Sequence, residues 1–344
     1  MSTLSLYLLT VLLSATTTAI ALPLLRAAIG PALLDSPGGL KHHAQSTPIV
    51  GGCALLAGLI VSLFFIRYTT DFPTGTLHSL RGILCGGAMI FGLGLLDDLK
   101  KPAGLGISVK LFIQILATLC LMRYGVHISL FDSPVLSYTL TFLWVLGITN
   151  AFNLLDIADG LCVGQAVICC LGLIFISLPS EQIYVNFGAY ALLGACLGFW
   201  PYNHSRRLKS FLGDSGSTLI GFLIAALSMG ADYSTLSNVG FLAPLLILAV
   251  PIFDTSFVSL VRLQKGQNPL QGSPDHAVIR LQRAGISPKT ILLSFLTAGV
   301  LFNILAFWTT RLTLLPALCV YGVALLLTVM IALYLIGISG HTHD

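Results

Sequence analysis

The chain has 344 residues, of which 56% are hydrophobic and only 9% charged, and its mean hydropathy is +0.94. A soluble domain carries about 25% charged residues, so this balance excludes a soluble globular enzyme and predicts an integral membrane protein. The formal net charge of +4 says little as a sum; the placement of the charges says more.

Each bilayer crossing needs about 20 apolar residues. In chain order the apolar runs predict eleven spans, at 4–25, 49–66, 79–96, 106–124, 136–152, 160–178, 186–202, 215–230, 239–260, 290–309 and 313–338. The predicted fold is all-α, a polytopic membrane helix bundle forming one integral membrane domain over 1–344. The first run lacks a basic segment before it, and its first positive residue, Arg26, follows the apolar stretch. It therefore reads as a span rather than a cleaved signal. The eight cysteines, at 53, 85, 120, 162, 169, 170, 196 and 319, lie in or beside apolar runs and read as small buried hydrophobes.

The positive-inside rule orients the bundle. With the N-terminus outside and the C-terminus in the cytoplasm, inner loops and helix ends collect Arg26, Lys41, Lys100, Lys101, Lys110, Arg206, Arg207, Lys209, Arg262, Lys265, Arg280, Arg283 and Lys289. The outer side keeps Arg67, Arg81, Arg123 and Arg311. The inner loops 26–48, 97–105, 153–159, 203–214 and 261–289 are also the motif-bearing ones, so the site is expected on the cytoplasmic face of the inner membrane.

Acidic residues are scarce and informative. Asp97 and Asp98 end the third span, Asp156 and Asp159 follow the fifth, and Asp214 opens the eighth. Clustered carboxylates raise one another's pKa, and a divalent cation relieves that repulsion. Mg²⁺ takes oxygen ligands and is typically held by one or two carboxylates plus substrate phosphates. Read singly, each aspartate is as well explained as a cap or a solvated charge, and Asp214 before Ser-Gly-Ser suits a helix cap. Five in three loops on one face favour a shared site. Asp254 stands inside the ninth span, where an acidic residue is a functional candidate by default. An ion-coupled transporter is the rival reading, but such proteins place their carboxylates near the midplane between paired repeats, and no repeat is visible here.

Six blocks in order, from about residue 34 to 285, closely resemble the polyprenyl-phosphate N-acetylhexosamine-1-phosphate transferases. They are LLDSPGGLKHHAQSTPIVGG, GLGLLDDLKKP, SVKLFIQ, NAFNLLDIADGL, WPYNHSRRLKSFLGDSGS and PIFDTSFVSLVRLQKGQNPL. The resemblance implies Mg²⁺-dependent transfer of a sugar-1-phosphate, by default GlcNAc-1-phosphate, from a UDP-N-acetylhexosamine to polyprenyl (undecaprenyl) phosphate, with Mn²⁺ able to substitute. It implies Asp214 as principal metal ligand assisted by Asp98, and catalytic roles for Asp97, Asp98, Asp156, Asp159 and His276. Asn150, Asn153, Lys41, Lys110, Asn203 and Arg280 become substrate-binding candidates, and the lysines serve equally as positive-inside anchors. No nucleic-acid partner is implied, and a homodimer is left open.

The sequence departs from the pattern at Ile157, where glycine is usual, and in PDHAVIRLQRAG. There Asp275, His276, Arg280 and Leu281 match a histidine-rich segment of the N-acetylglucosamine branch, while Val278 and Ile279 replace its later histidines. The triple histidine of the peptidoglycan branch is missing. The sugar is thus less specified than the chemistry.

Overall fold

In the computed structural model the described residues are 2–35, 46–70, 76–178, 183–231, 233, 239–268 and 275–340. They fall into two compact units, Met1–Ala231 and Asp232–Asp344. Nearly all of the ordered structure is helical. The exception is a two-residue antiparallel ladder, β1 (Leu34–Asp35) on β2 (Thr47–Pro48), which joins the two ends of the first predicted inner loop.

The first unit holds α1 (Thr3–Ala28), α2 (Gly51–Thr69), α3 (Thr76–Leu99), α4 (Ile107–Arg123), α5 (Pro134–Leu155), α6 (Leu161–Ser177), α7 (Ile183–Asn203) and α8 (Gly213–Gly230). Local chemistry sets several starts. Ser2 caps α1 by accepting the Ser5 N–H, and Pro134 opens α5, where its missing N–H costs nothing. Helix α8 is the hub: from Ser215 to Ser228 every residue is buried, and it packs against α2, α3, α5, α6 and α7.

Glycines let the backbones close on that hub. A Cβ on Gly94 of α3 would meet the Ser215 backbone, and one on Gly52 of α2 would meet Gly216. Small residues permit such approach in lipid, where no hydrophobic drive holds helices together. The α1–α7 seam follows the same rule, with Gly194 and Gly198 beneath α1 and Ser14 donating to the Ala191 carbonyl at 2.6 Å.

The second unit holds α9 (Ala243–Ile247), α10 (Ala249–Gln264), α11 (Ala277–Arg283), α12 (Pro288–Thr309) and α13 (Leu314–Gly340). The ninth predicted span is not continuous. Segments Gly240–Ile247 and Ala249–Gln264 are bent by 67°. Pro251 explains the break, since it offers no N–H to the Ile247 carbonyl four residues back and its ring clashes there. Asn303 of α12 donates to that carbonyl instead, at 3.4 Å.

Among the described residues seven helices are long and apolar enough to cross a membrane, or eight if the bent pair is one span. Helices occur at all eleven predicted positions. Helix α6 and α4 have 17 residues each and α8 has 18. These three fall outside the seven because they are short or carry polar ends. The protein is a multi-pass helical membrane protein.

Candidate active site

Three chain segments of the first unit converge where α3 ends and α8 begins. Asp97 and Asp98 occupy the last turn of α3, Lys101 follows it, Lys110 lies in the first turn of α4, and Asp214 is in the first turn of α8. Lys101 Nζ lies 2.8 Å from Asp98 Oδ1 and 3.3 Å from Asp214 Oδ1. Lys110 Nζ lies 2.7 Å from Asp97 Oδ2 and 3.3 Å from Asp214 Oδ2. Two lysines thus grip Asp214 from either side, each also holding one of the paired aspartates.

The paired aspartates do different work. Both oxygens of Asp98 accept backbone N–H groups, from Asp214 and from Ser215, each at 3.0 Å. Its carboxylate therefore caps α8, where unpaired amides and the helix dipole favour a negative group. Gly213 makes room for it: its φ is +77°, and a Cβ there would strike Ile49 and the Asp98 carboxylate. The Asp98 side chain is fully buried (0% exposed) whereas Asp214 is 23% exposed. Asp98, expected from the resemblance to assist Asp214 at the metal, also braces the start of α8 through these two amides. Asp97 shares Lys110 with Asp214, and its Oδ1 also accepts the Leu105 N–H at 2.5 Å.

The α5–α6 turn adds the third segment. Asp156 caps the C-terminal end of α5 and is half-buried. Burial pushes its carboxyl well above the ordinary carboxylate range, opposed by the charge of Lys101 and reinforced by Asp214, Asp98 and Asp159. Burial works against the Lys101 ammonium too, but the charges of Asp214 and Asp98 outweigh it and hold its pKa above the usual lysine value. Asp156 and the cluster therefore share one electrostatic environment. Asp159 stands at the rim, 2.5 Å from Lys209.

Asparagines fix these parts. Asn153 donates to Ser217 of α8 at 3.0 Å, tying the end of α5 to the helix that carries Asp214. Asn203 is buried; its Oδ1 accepts the Gly160 N–H at 2.5 Å and its Nδ2 donates to the Ser210 carbonyl at 3.4 Å. It was expected as a phosphate contact, and it also clamps the aspartate turn to the loop before α8. Lys41 lies outside the described residues.

In the second unit Asp254 and His276 find each other. Asp254 Oδ2 lies 2.7 Å from His276 Nδ1, and its Oδ1 accepts the Ala277 N–H at 3.1 Å, capping α11. Both side chains are buried. Arg280 donates to the carbonyls of Asp275 and Leu335 and to the Asp275 carboxylate, and its guanidinium lies 5.1 Å over Phe257. Lys265 completes this group at 2.6 Å from Asp275. Arg280, a substrate-binding candidate, also joins α11 to α13 through the Leu335 carbonyl.

A family model described as glycosyl transferase family 4 matches residues 80–232, which span the cluster from α3 to α8. A probable undecaprenyl-phosphate N-acetylglucosaminyl 1-phosphate transferase of Bacillus subtilis is 30% identical over 290 residues, covering 82% of this chain and 78% of that protein. The chain belongs to glycosyl transferase family 4. Similar coverage is found with a decaprenyl-phosphate N-acetylglucosaminephosphotransferase of Mycobacterium tuberculosis (30% identity, 75% of this chain and 71% of the relative). An undecaprenyl-phosphate alpha-N-acetylglucosaminyl 1-phosphate transferase of Escherichia coli is 28% identical over 79% of this chain and 75% of its own. The protein is accordingly an enzyme, a membrane-embedded phosphotransferase of this family.

Two features of this family 4 enzyme escape the sequence reading. Lys101 was counted only for orientation, although it follows Asp98 by three residues and Asp97 by four, the spacing at which helical neighbours meet. Gln114 passed unremarked one turn beyond Lys110. Its amide pairs reciprocally with Asn150, at 2.9 and 3.3 Å, and Asn150 also donates to the Leu146 carbonyl at 2.7 Å. Asn150, a substrate-binding candidate, also joins α4 to α5 through this pair. Asn150→Leu is expected to cost about 1 kcal/mol, since it strands the Gln114 amide. Adding Gln114→Leu should recover most of that loss. Thermal unfolding of the three variants checks this, and a rise in substrate KM with unchanged melting would contradict it.

Among the described residues no three His, Cys, Asp or Glu side chains form a ready metal cage. The donors on offer are the Asp97 and Asp214 carboxylates, joined through Lys110 at 2.7 and 3.3 Å. Lys110 places a positive charge between them, as two such neighbouring groups require.

Proposed function

We propose that this enzyme transfers N-acetylglucosamine-1-phosphate from UDP-N-acetylglucosamine to polyprenyl phosphate at the cytoplasmic face of the inner membrane, releasing UMP. The observation that carries the reading is the meeting of Asp97, Asp214, Lys101 and Lys110 at one end of the buried hub helix. Fixed positive charge beside the partly exposed Asp214 carboxylate suits a diphosphate flanked by a metal. The relatives supply the sugar and the lipid phosphate in their names, and the bias of Lys and Arg toward the loops bearing this cluster supports a cytoplasmic site. Eleven crossings, with α4, α6 and α8 counted as short spans, keep these loops on one side.

A phosphate oxygen of the lipid attacks the phosphorus bearing the sugar, and the bond to UMP breaks as UMP takes its electron pair. The lipid phosphate is largely ionised near neutrality, so no strong base is demanded, and positioning with charge neutralisation dominates. Lys101 and Lys110 act as point charges toward phosphate oxygens. Asp214, with Asp97, would hold Mg²⁺, which when bound neutralises charge on the donor diphosphate. This set fits an oxygen-seeking dication that needs only one or two carboxylates beside substrate phosphates. Asp156, at the end of α5, borders this set and is a candidate contact to the donor.

The test uses purified protein, polyprenyl phosphate and a panel of UDP-N-acetylhexosamines. UMP release is expected with Mg²⁺ and fastest with UDP-N-acetylglucosamine. EDTA should stop it, and Mg²⁺ or Mn²⁺ should restore it. Absence of UMP with every donor would sink the reading, and turnover that survives EDTA would remove the metal from it.

A further inference from the structure

The charged groups do not stop at the cluster. Lys101 holds Asp98 and Asp214, Asp156 lies within electrostatic reach of Lys101 and of Asp159, and Asp159 pairs with Lys209. Positive and negative groups thus continue from the buried end of α8 to the rim. The outermost pair differs from the rest. Asp97 and Asp98 are 5% and 0% exposed, whereas Lys209 and Asp159 are 34% and 40% exposed. An ion pair so open to water is worth only about 0.2–1 kcal/mol, so either partner can exchange it for a better one.

The main chain beneath Lys209 is nevertheless fixed. Its carbonyl accepts from Arg26 Nη1. The next carbonyl, of Ser210, takes the buried Asn203 amide, and the Phe211 N–H donates to Pro48 at 2.9 Å. The ammonium itself rests 5.3 Å from the Phe211 ring centre. Lys209 is a flexible arm on an immobile base, held beside the aspartate turn by its weakest contact.

We propose that Lys209 is a further donor-binding residue. When a nucleoside diphosphate-sugar enters, its ammonium leaves Asp159 for a donor phosphate oxygen. Asp159 is then free to accept a hydrogen bond from a hydroxyl or base N–H of the same donor. This rests on the reading that the substrate is such a nucleotide sugar.

UMP release by the full-length enzyme is measured while UDP-N-acetylglucosamine and polyprenyl phosphate are varied in turn. Lys209→Met is expected to raise the donor KM about five- to tenfold. The kcat and the acceptor KM should stay within about twofold, and the melting temperature should shift little. Lys209→Arg should hold the donor KM within about threefold. Inhibition by UDP should weaken in parallel in Lys209→Met. An unchanged donor KM, or an equal rise in both KM values, would overturn the proposal. So would identical behaviour of Lys209→Met, Asp159→Asn and the double variant, which marks a static brace. A parent enzyme that releases no UMP sinks the functional reading itself, whereas an active parent with an unaffected Lys209→Met sinks only the role of Lys209.

Discussion

Asp214→Asn is expected to lower kcat for UMP release by about 10²–10³-fold while leaving the fold intact. Asparagine keeps the shape of the side chain at the head of α8, and Asp214 is among the more open members of the cluster at 23% exposure. What it loses is the anionic oxygen pair that Lys101 and Lys110 approach at 3.3 Å each and that stands beside Asp97. Removing one preorganised electrostatic contact from a phosphoryl-transfer site costs a factor of this size. Stability should fall only modestly, because the charge removed pairs with Lys101 and Lys110 at 3.3 Å each in a position still open to water. A melting temperature within a few degrees of the parent's, with turnover lost, is the expected pair of results. Turnover within threefold of the parent would show that the Asp214 carboxylate is not part of the chemistry.

The helices were largely legible in the sequence because twenty-residue apolar runs leave few alternatives in a membrane. The convergence of Asp97 and Lys110 on Asp214 was anticipated through the ordered blocks. The partners of individual side chains were not. Nothing in GLGLLDDLKKP says which of two adjacent carboxylates turns toward a distant helix start. The Asn150–Gln114 pair and the Asp254–His276 contact span 36 and 22 residues, and such pairings are fixed by packing rather than by local pattern. The break at Pro251 was within reach of sequence rules. It was overridden by the apolar length of 239–260, which reads as one span when the proline is taken as tolerated.

Asp98 gives the sharpest contrast with Asp214. Asp98→Ala is expected to destabilise the protein by about 2–4 kcal/mol, because it leaves the Asp214 and Ser215 amides without acceptors in a buried position. It also deprives Lys101 of its closest partner, at 2.8 Å. Asp98→Asn should recover little of this. One amide oxygen can still accept from α8, but the NH₂ group then faces a backbone N–H or the Lys101 ammonium, donor against donor. Turnover should fall with stability, since the start of α8 sets where Asp214 stands. Thermal unfolding, together with hydrogen exchange at the first amides of α8, separates the two aspartates: faster exchange in Asp98→Asn, unchanged exchange in Asp214→Asn. Were Asp98→Asn as stable as the parent and yet inactive, Asp98 would contact the reacting groups directly and the bracing role assigned to it would fail.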